Sequence, residues 1–273
     1  MIIDGKKIAD EVLAELKNEI SDKGLELSLG AVLVGDDPEF KKFVELKGKA
    51  ADRAGINFTM YRFHEKIETE ELKKNILEIS NWSDGVLVEL PLPKHINFEE
   101  VLSAIKIEKD VDVLSKEAQE MFYKDESKIN PPAVEALKIV LERHSVDLKG
   151  KKVAVFGQGI LIGKPISHWL EQQGAEVFRI RSITKNPEEL SQEADIVVAG
   201  VGKPGLVNGG MVKEGAVVID FGYGKLGGKM AGDVDSKSVS PKAKLITPVP
   251  GGMGPILIMA VLKNLIILNS YNL

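Results

Sequence analysis

The stretch 155-VFGQGILIGKP-165 decides how this chain is read. Its glycines, Gly157, Gly159 and Gly163, are spaced G-x-G-x-x-x-G, one residue longer than the dinucleotide fingerprint G-x-G-x-x-G. The segment before it, KKVAVFG (151–157), has the continuous apolar run of a buried strand. The segment after it, GKPISHWLEQQG (163–174), reads as a helix with Pro165 in the first turn and Gly174 at the end. The glycines therefore lie in the strand–loop–helix context that a phosphate loop requires. Gly157 and Gly159 would let the backbone approach a pyrophosphate, whose charge is favoured at a helix N-terminus. A tight βα turn with packing glycines would use the same residues without any ligand.

The next strand separates two cofactors. An NAD site carries an acidic residue about 20 positions beyond the loop, where it takes the ribose hydroxyls. Here that strand ends VFRIRSITK, with Arg179, Arg181, Ser182 and Lys185 and no acid. Arg179 and Arg181 share a strand face by their i, i+2 spacing, and guanidinium suits a 2′-phosphate. The pattern favours NADP.

Further outward, apolar runs at 151–157, 175–180, 195–200, 215–222 and 243–250 have the spacing of a doubly wound parallel sheet. An earlier series, at 27–35, 57–63 and 84–90, alternates with helical stretches near 5–22, 37–54 and 69–80. The fold class is thus α/β throughout, in two domains. The charged stretch KDVDVLSKEAQEMFYKDESKINPP reads as the passage between them. The last segment, PILIMAVLKNLIILN, is a helix too apolar to stand alone, and it is expected to pack back on the first domain.

Bulk properties narrow the function. The chain has 273 residues, 44% hydrophobic and 28% charged, with a net charge of −5 and no cysteine. That balance argues against a nucleic-acid or anionic-membrane partner. The lack of cysteine removes disulfides, thiolate metal sites and a cysteine nucleophile, and fits a cytoplasmic home. Asp4, Lys6, Lys7 and Asp10 leave no room for a signal-peptide core. The four histidines lie far apart, so no metal site is expected.

One lysine is out of place. DDPEFKKFVELKGKAADRAG predicts a helix with Asp37 as N-cap and Pro38 at the first position. Phe40, Phe43, Val44, Ala51 and Ala54 fall on one face, with charged residues opposite. Lys47 projects from the apolar face, one turn after Phe43. A snorkelling stem explains it, and so does a partly desolvated lysine available for acid–base chemistry. Two acids offer partners. Glu89 ends the apolar strand GVLVEL, where open α/β sheets bind ligands, and Asp112 lies among valines in KDVDVL. An unpaired buried carboxylate at Glu89 would cost several kcal/mol.

Taken together, VGDDP with F-x-x-x-K-x-K-A, DGVLVELPLPKHI, KDVD, GQGILIGKP, ADIVVAGVGKPG, GAVVIDFG, GDVD and ITPVPGGMGP resemble the bifunctional methylenetetrahydrofolate dehydrogenase/cyclohydrolase (FolD) family. The match runs in order over residues 34–255, and LPLPKHI and TPVPGGMGP are its most specific parts. That family also uses the longer glycine loop. The resemblance implies a folate-binding catalytic domain (1–120 with 256–273), a Rossmann-like NADP domain (121–255), a cleft between them, and a homodimer. It implies oxidation of 5,10-methylenetetrahydrofolate to the methenyl cation with NADP, then hydrolysis to 10-formyltetrahydrofolate. Lys47 matches the family's active-site lysine and Asp112 the aspartate that hydrogen-bonds the pterin. Phe43, Pro250, Gly251 and Gly252 fall at substrate positions. Gly157, Gln158, Gly159, Ser182 and Tyr223 fall where NADP is contacted.

The departures bear on the second step. Phe43 replaces the usual tyrosine and Glu89 the usual glutamine. A carboxylate beside Lys47 favours its ammonium form and opposes its use as a base. Gln158 and Gly159 replace an Arg-Ser pair, which leaves NADP preference to Arg179 or Arg181. The alternatives are a dehydrogenase alone, with hydrolysis lost through Phe43 and Glu89, and a non-catalytic nucleotide-binding module.

Overall fold

The computed structural model describes residues 1–270. The chain divides into two compact units, one of residues 10–132 with those described from 258 onward, the other of residues 1–9 and 133–257. In chain order the elements are α1 (Gly5–Lys23), β1 (Ser28–Val34), α2 (Pro38–Ala54), β2 (Asn57–Phe63), α3 (Thr69–Trp82), β3 (Gly85–Val88), α4 (Phe98–Leu102), α5 (Lys116–Tyr123) and α6 (Pro132–Arg143). They continue with β4 (Lys152–Phe156), α7 (Gly163–Gln172), β5 (Glu176–Ile180), α8 (Pro187–Glu193), β6 (Ile196–Ala199), β7 (Val217–Asp220), β8 (Gly224–Leu226), β9 (Lys229–Ala231), α9 (Ser236–Val239), β10 (Leu245–Ile246) and α10 (Met253–Asn269).

In the first unit three parallel strands run in the order β2-β1-β3. β1 is buried along its length because it is the central strand, and Val32 and Val34 enter a core with Leu72, Ile76, Ile79, Val86 and Val88. Asp37 caps α2 by accepting from the Glu39 and Phe40 amides, with Pro38 at the first helical position. Gly55, at φ 85°, stops it. α10 belongs to this unit from Ile258 on, and Leu265 packs so closely that a Cβ on Gly85 would meet it at 2.6 Å. The expected return of the last helix is therefore found, within the described residues.

In the second unit five parallel strands run in the order β10-β7-β6-β4-β5. Counted along the chain this is 2-1-3-4-5, with the reversal between β4 and β6, and ligands of such sheets bind outside the carboxyl ends at that reversal. Phe156, Val197, Ala199 and Val218 lie in the core beneath. Met1 to Ile3 continue the sheet along β10 through Ile3 N–H to the Ile246 carbonyl and Ile246 N–H to that of Met1.

Several elements had no range in the sequence reading, among them α5 and the ladder of β8 with β9. The charged passage contains α5, capped by Ser115, whose hydroxyl accepts from the Ala118 amide. A small antiparallel ladder, β8 with β9, turns at Gly227 and Gly228, both at positive φ, the conformation a two-residue hairpin turn demands.

Candidate active site

The first cluster lies in the unit of residues 10–132. Lys47 is 8% exposed, the only charged residue on the buried side of α2. Its Nζ donates to Glu89 Oε2 at 2.7 Å, and it stands 5.1 Å from the centre of the Phe43 ring, a cation–π distance. Glu89 follows β3 directly, and its amide donates to the Val32 carbonyl, so the sheet fixes where its side chain departs. Here the lysine does not snorkel. Its charge stays inside, matched by a carboxylate and an aromatic face.

Asp112 belongs to the same electrostatic cluster. Burial pushes its carboxyl up to about 7; Lys47 opposes the rise, while Asp110 and Glu89 add to it. The segment that carries it is held from several sides. Asp110, fully buried, accepts from the Leu114 and Ser115 amides through Oδ2. The Val111 carbonyl accepts from the Asn264 side chain. Val113 adopts φ 56°, a strained conformation for a β-branched residue. Burial also raises Asp110, against the pull of its amide bonds. Asp110 and Asn264 had no part in the sequence reading, although both are fully buried polar residues beside Asp112's segment.

The second cluster lies in the unit of residues 1–9 and 133–257. Gly157 N–H donates to the Ile180 carbonyl and Gly200 N–H to that of Phe156, so the loops after β4 and β6 meet at the strand reversal. Gly157 is at φ 88°, and a Cβ there would meet the Gly200 carbonyl oxygen at 2.9 Å. A Cβ on Gly163 would meet the Gly157 carbonyl oxygen at 1.9 Å, whereas Gly159 faces open space. Ile162 supplies no side-chain cap to α7, and in its first turn Lys164 N–H donates to the Gly159 carbonyl. A concave backbone with one open glycine at a helix N-terminus fits a pyrophosphate.

The side chains around it divide. The Gln158 amide is turned inward, donating to the Gly157 carbonyl at 2.8 Å and to Ser167 Oγ at 3.2 Å. Arg179 forms a two-pronged ion pair with Glu171. Arg181 and Ser182 are exposed just past β5, and Tyr223 is half exposed beyond β7. Pro250, Gly251 and Gly252 form a turn near Gly5, whose amide donates to the Gly251 carbonyl.

Two acids that the motif reading had passed over organise the loops. Asp233 accepts from the amides of Val201, Gly202 and Lys203. Asp220, at the end of β7, accepts from Gly222, Asp233 and Val234. Burial raises the Asp220 carboxyl to about 6, against these amide bonds and helped by the Asp233 charge. The signal was there, an acid at the end of an apolar strand in VVID, but it marked an anchor.

These features describe a two-unit α/β protein with a Rossmann-like nucleotide unit and, elsewhere in the chain, a buried lysine–carboxylate cluster. Comparison with known proteins agrees. The family model for the tetrahydrofolate dehydrogenase/cyclohydrolase catalytic domain matches residues 3–112, and that for its NAD(P)-binding domain matches residues 131–272. The bifunctional protein FolD of Moorella thermoacetica is 40% identical over 269 residues, 96% of each chain. The bifunctional FolD dehydrogenase/cyclohydrolase structure from Campylobacter jejuni superposes with a TM-score of 0.95 at 34% identity, covering 100% of this chain and 99% of that one. A Trypanosoma brucei FolD structure complexed with NADP cofactor and inhibitor gives 0.95 at 31% identity, covering 100% and 98%. The chain belongs to the tetrahydrofolate dehydrogenase/cyclohydrolase family. Among the described residues no helix is long and apolar enough to cross a membrane.

Proposed function

We propose that the protein oxidises 5,10-methylenetetrahydrofolate to the methenyl form with NADP and hydrolyses the product to 10-formyltetrahydrofolate. The observation that carries this reading is the buried Lys47–Glu89 pair beside Phe43, in a chain that matches the family over both of its domains. Gly157 to Gly159 and the first turn of α7 would hold the pyrophosphate with backbone. NADP, when bound, supplies the hydride acceptor for the first step.

This chain's own residues do the rest. Phe43 offers an apolar face on which the folate ring stacks. Asp112 accepts hydrogen bonds from the pterin N–H groups in its carboxylate form. For hydrolysis, the Lys47 ammonium orients water toward the methenyl carbon through its hydrogen bonds. Glu89, already in contact with that ammonium, takes the proton that the water gives up. Glutamate in place of glutamine thus supplies a base where the paired lysine cannot act as one. On the same resemblance we assign a cytoplasmic homodimer.

The test is a single assay. Purified protein is mixed with methylenetetrahydrofolate and NADP, and reduced nicotinamide and the methenyl chromophore are followed separately. No cofactor reduction overturns the reading. Methenyl that accumulates, decaying no faster than in buffer, leaves a dehydrogenase alone.

A further inference from the structure

Two arginines share the end of β5, but the structure treats them differently. Arg179 pairs with Glu171 of α7 through both terminal guanidinium nitrogens, so its charge is matched by the helix that precedes its strand. Arg181 is exposed, and its guanidinium has no hydrogen bond or ion pair among the described residues. Its backbone is fixed all the same. The Arg181 amide donates to Thr184 Oγ1 at 2.8 Å and the Thr184 amide returns to the Arg181 carbonyl at 3.0 Å, closing a short turn. The Gly157 amide, bonded to the Ile180 carbonyl, places that turn directly beside the glycine loop. The one long polar side chain in the loop, Gln158, is occupied inward with Ser167.

We propose that Arg181, with the Ser182 hydroxyl next to it, is the residue that selects NADP over NAD, and that Arg179 has no share in that choice. The end of the second strand of such a sheet is where the adenosine ribose is read, by an acid for a free hydroxyl or by arginine for a 2′-phosphate. A planar guanidinium with unoccupied donors matches a phosphate dianion in charge and geometry. A guanidinium already engaged by a carboxylate would have to give up that partner first. The inference rests on the NADP part of the reading above and not on the folate part.

The experiment compares two fragments, 2′,5′-ADP and 5′-AMP, which differ only in the 2′-phosphate. Binding to wild type, Arg181→Gln and Arg179→Gln is measured by titration calorimetry. Loss of a charge-assisted contact predicts that Arg181→Gln weakens 2′,5′-ADP by about 10-fold to 100-fold, with 5′-AMP changing by less than about threefold. The ratio of NADP to NAD affinity falls by the same factor. Equal loss for both fragments, no loss, or the selective loss appearing in Arg179→Gln instead overturns the proposal. A wild type that binds neither fragment overturns it together with the NADP reading. A wild type that binds 2′,5′-ADP through Arg181 but does not oxidise methylenetetrahydrofolate sinks the folate reading and leaves this one standing.

Discussion

The Lys47 ammonium and the Glu89 carboxylate meet at 2.7 Å with side chains only 10% and 9% exposed. A buried ion pair of this kind adds little net stability over an apolar pair of similar shape, yet removing one partner strands the other charge. The pair is therefore better explained by chemistry than by stability. It also sets the first expectation.

Lys47→Ala leaves Glu89 charged and alone, and costs about 3–5 kcal/mol of unfolding free energy in denaturant titration. Glu89→Gln keeps shape and an acceptor for the ammonium but removes its counter-charge, and costs about 1.5–3 kcal/mol, less than Lys47→Ala. In the proposed hydrolysis the same substitution removes the base, so the cyclohydrolase rate falls by about 100-fold or more, while nicotinamide reduction changes far less. Equal losses in both steps would argue that Glu89 serves only to position Lys47.

Asp112 predicts a pH dependence whose sign follows from its raised value. Below about pH 4 the carboxyl is protonated in both the folded and unfolded chain. Between the ordinary 3.8 and about 7 only the folded chain keeps the proton, so this group's stabilising contribution declines as pH rises and levels off above 7. Asp112→Asn lacks that decline. Measured by chemical denaturation at pH 5 and pH 8, the variant gains on the wild type by on the order of 2 kcal/mol, after allowing for solvent screening of a side chain that is not fully enclosed. If the carboxylate binds the pterin, kcat/KM for the folate rises through about pH 7 in wild type and is flat there in the variant.

The glycine loop separates folding from binding. A methyl on Gly163 collides with the Gly157 carbonyl at 1.9 Å, so Gly163→Ala lowers stability by about 1–3 kcal/mol through backbone displacement. A methyl on Gly159 meets nothing within 4 Å in the protein. Gly159→Ala therefore melts like the wild type and loses NADP affinity by about tenfold, or 1.4 kcal/mol, because the methyl occupies the cradle. Calorimetric melting and nucleotide titration read the two effects independently. Unchanged NADP affinity in Gly159→Ala would place the phosphates elsewhere.

Asp233 holds three consecutive amides. Asp233→Ala leaves these amides to water at an exposed loop and removes a buried anchor, at a cost of about 1–3 kcal/mol. Hydrogen exchange at Val201, Gly202 and Lys203 should accelerate, while amides in β4 keep their protection relative to the global stability. Uniform acceleration across the unit would mean that Asp233 supports the whole fold rather than this loop.

Much of this was legible in the sequence, for identifiable reasons. The strands of both sheets are buried apolar runs, and buried parallel strands leave the plainest trace a sequence can carry. Asp37, Pro38 and Gly55 mark both ends of α2 by local chemistry, and Lys47 betrayed itself by breaking the period of that helix. The hairpin of β8 and β9 was missed because its strands are only three residues long, with two of the three exposed in each. α5 was hidden by its charges, since only Ala118 and Phe122 are buried along it. The pairing of Arg179 with Glu171 could not be foreseen, because the contact joins a strand to the preceding helix across a loop. The cis bonds at Leu90–Pro91 and Val249–Pro250 have no signature in the residue types alone.

The segment around Asp112 behaves mechanically as a clamp. A carboxyl pressed into an unfavourable environment ordinarily escapes by rotating its loop toward water. Here Asp110 grips the amides of Leu114 and Ser115, Asn264 holds the Val111 carbonyl, and Val113 sits in a conformation with few neighbours to relax into. The segment cannot yield, so it responds to burial by taking up a proton instead of moving. A ligand that offers hydrogen-bond donors to that carboxylate must then expel the proton near neutral pH. Its heat of binding will carry the ionisation enthalpy of whichever buffer receives it.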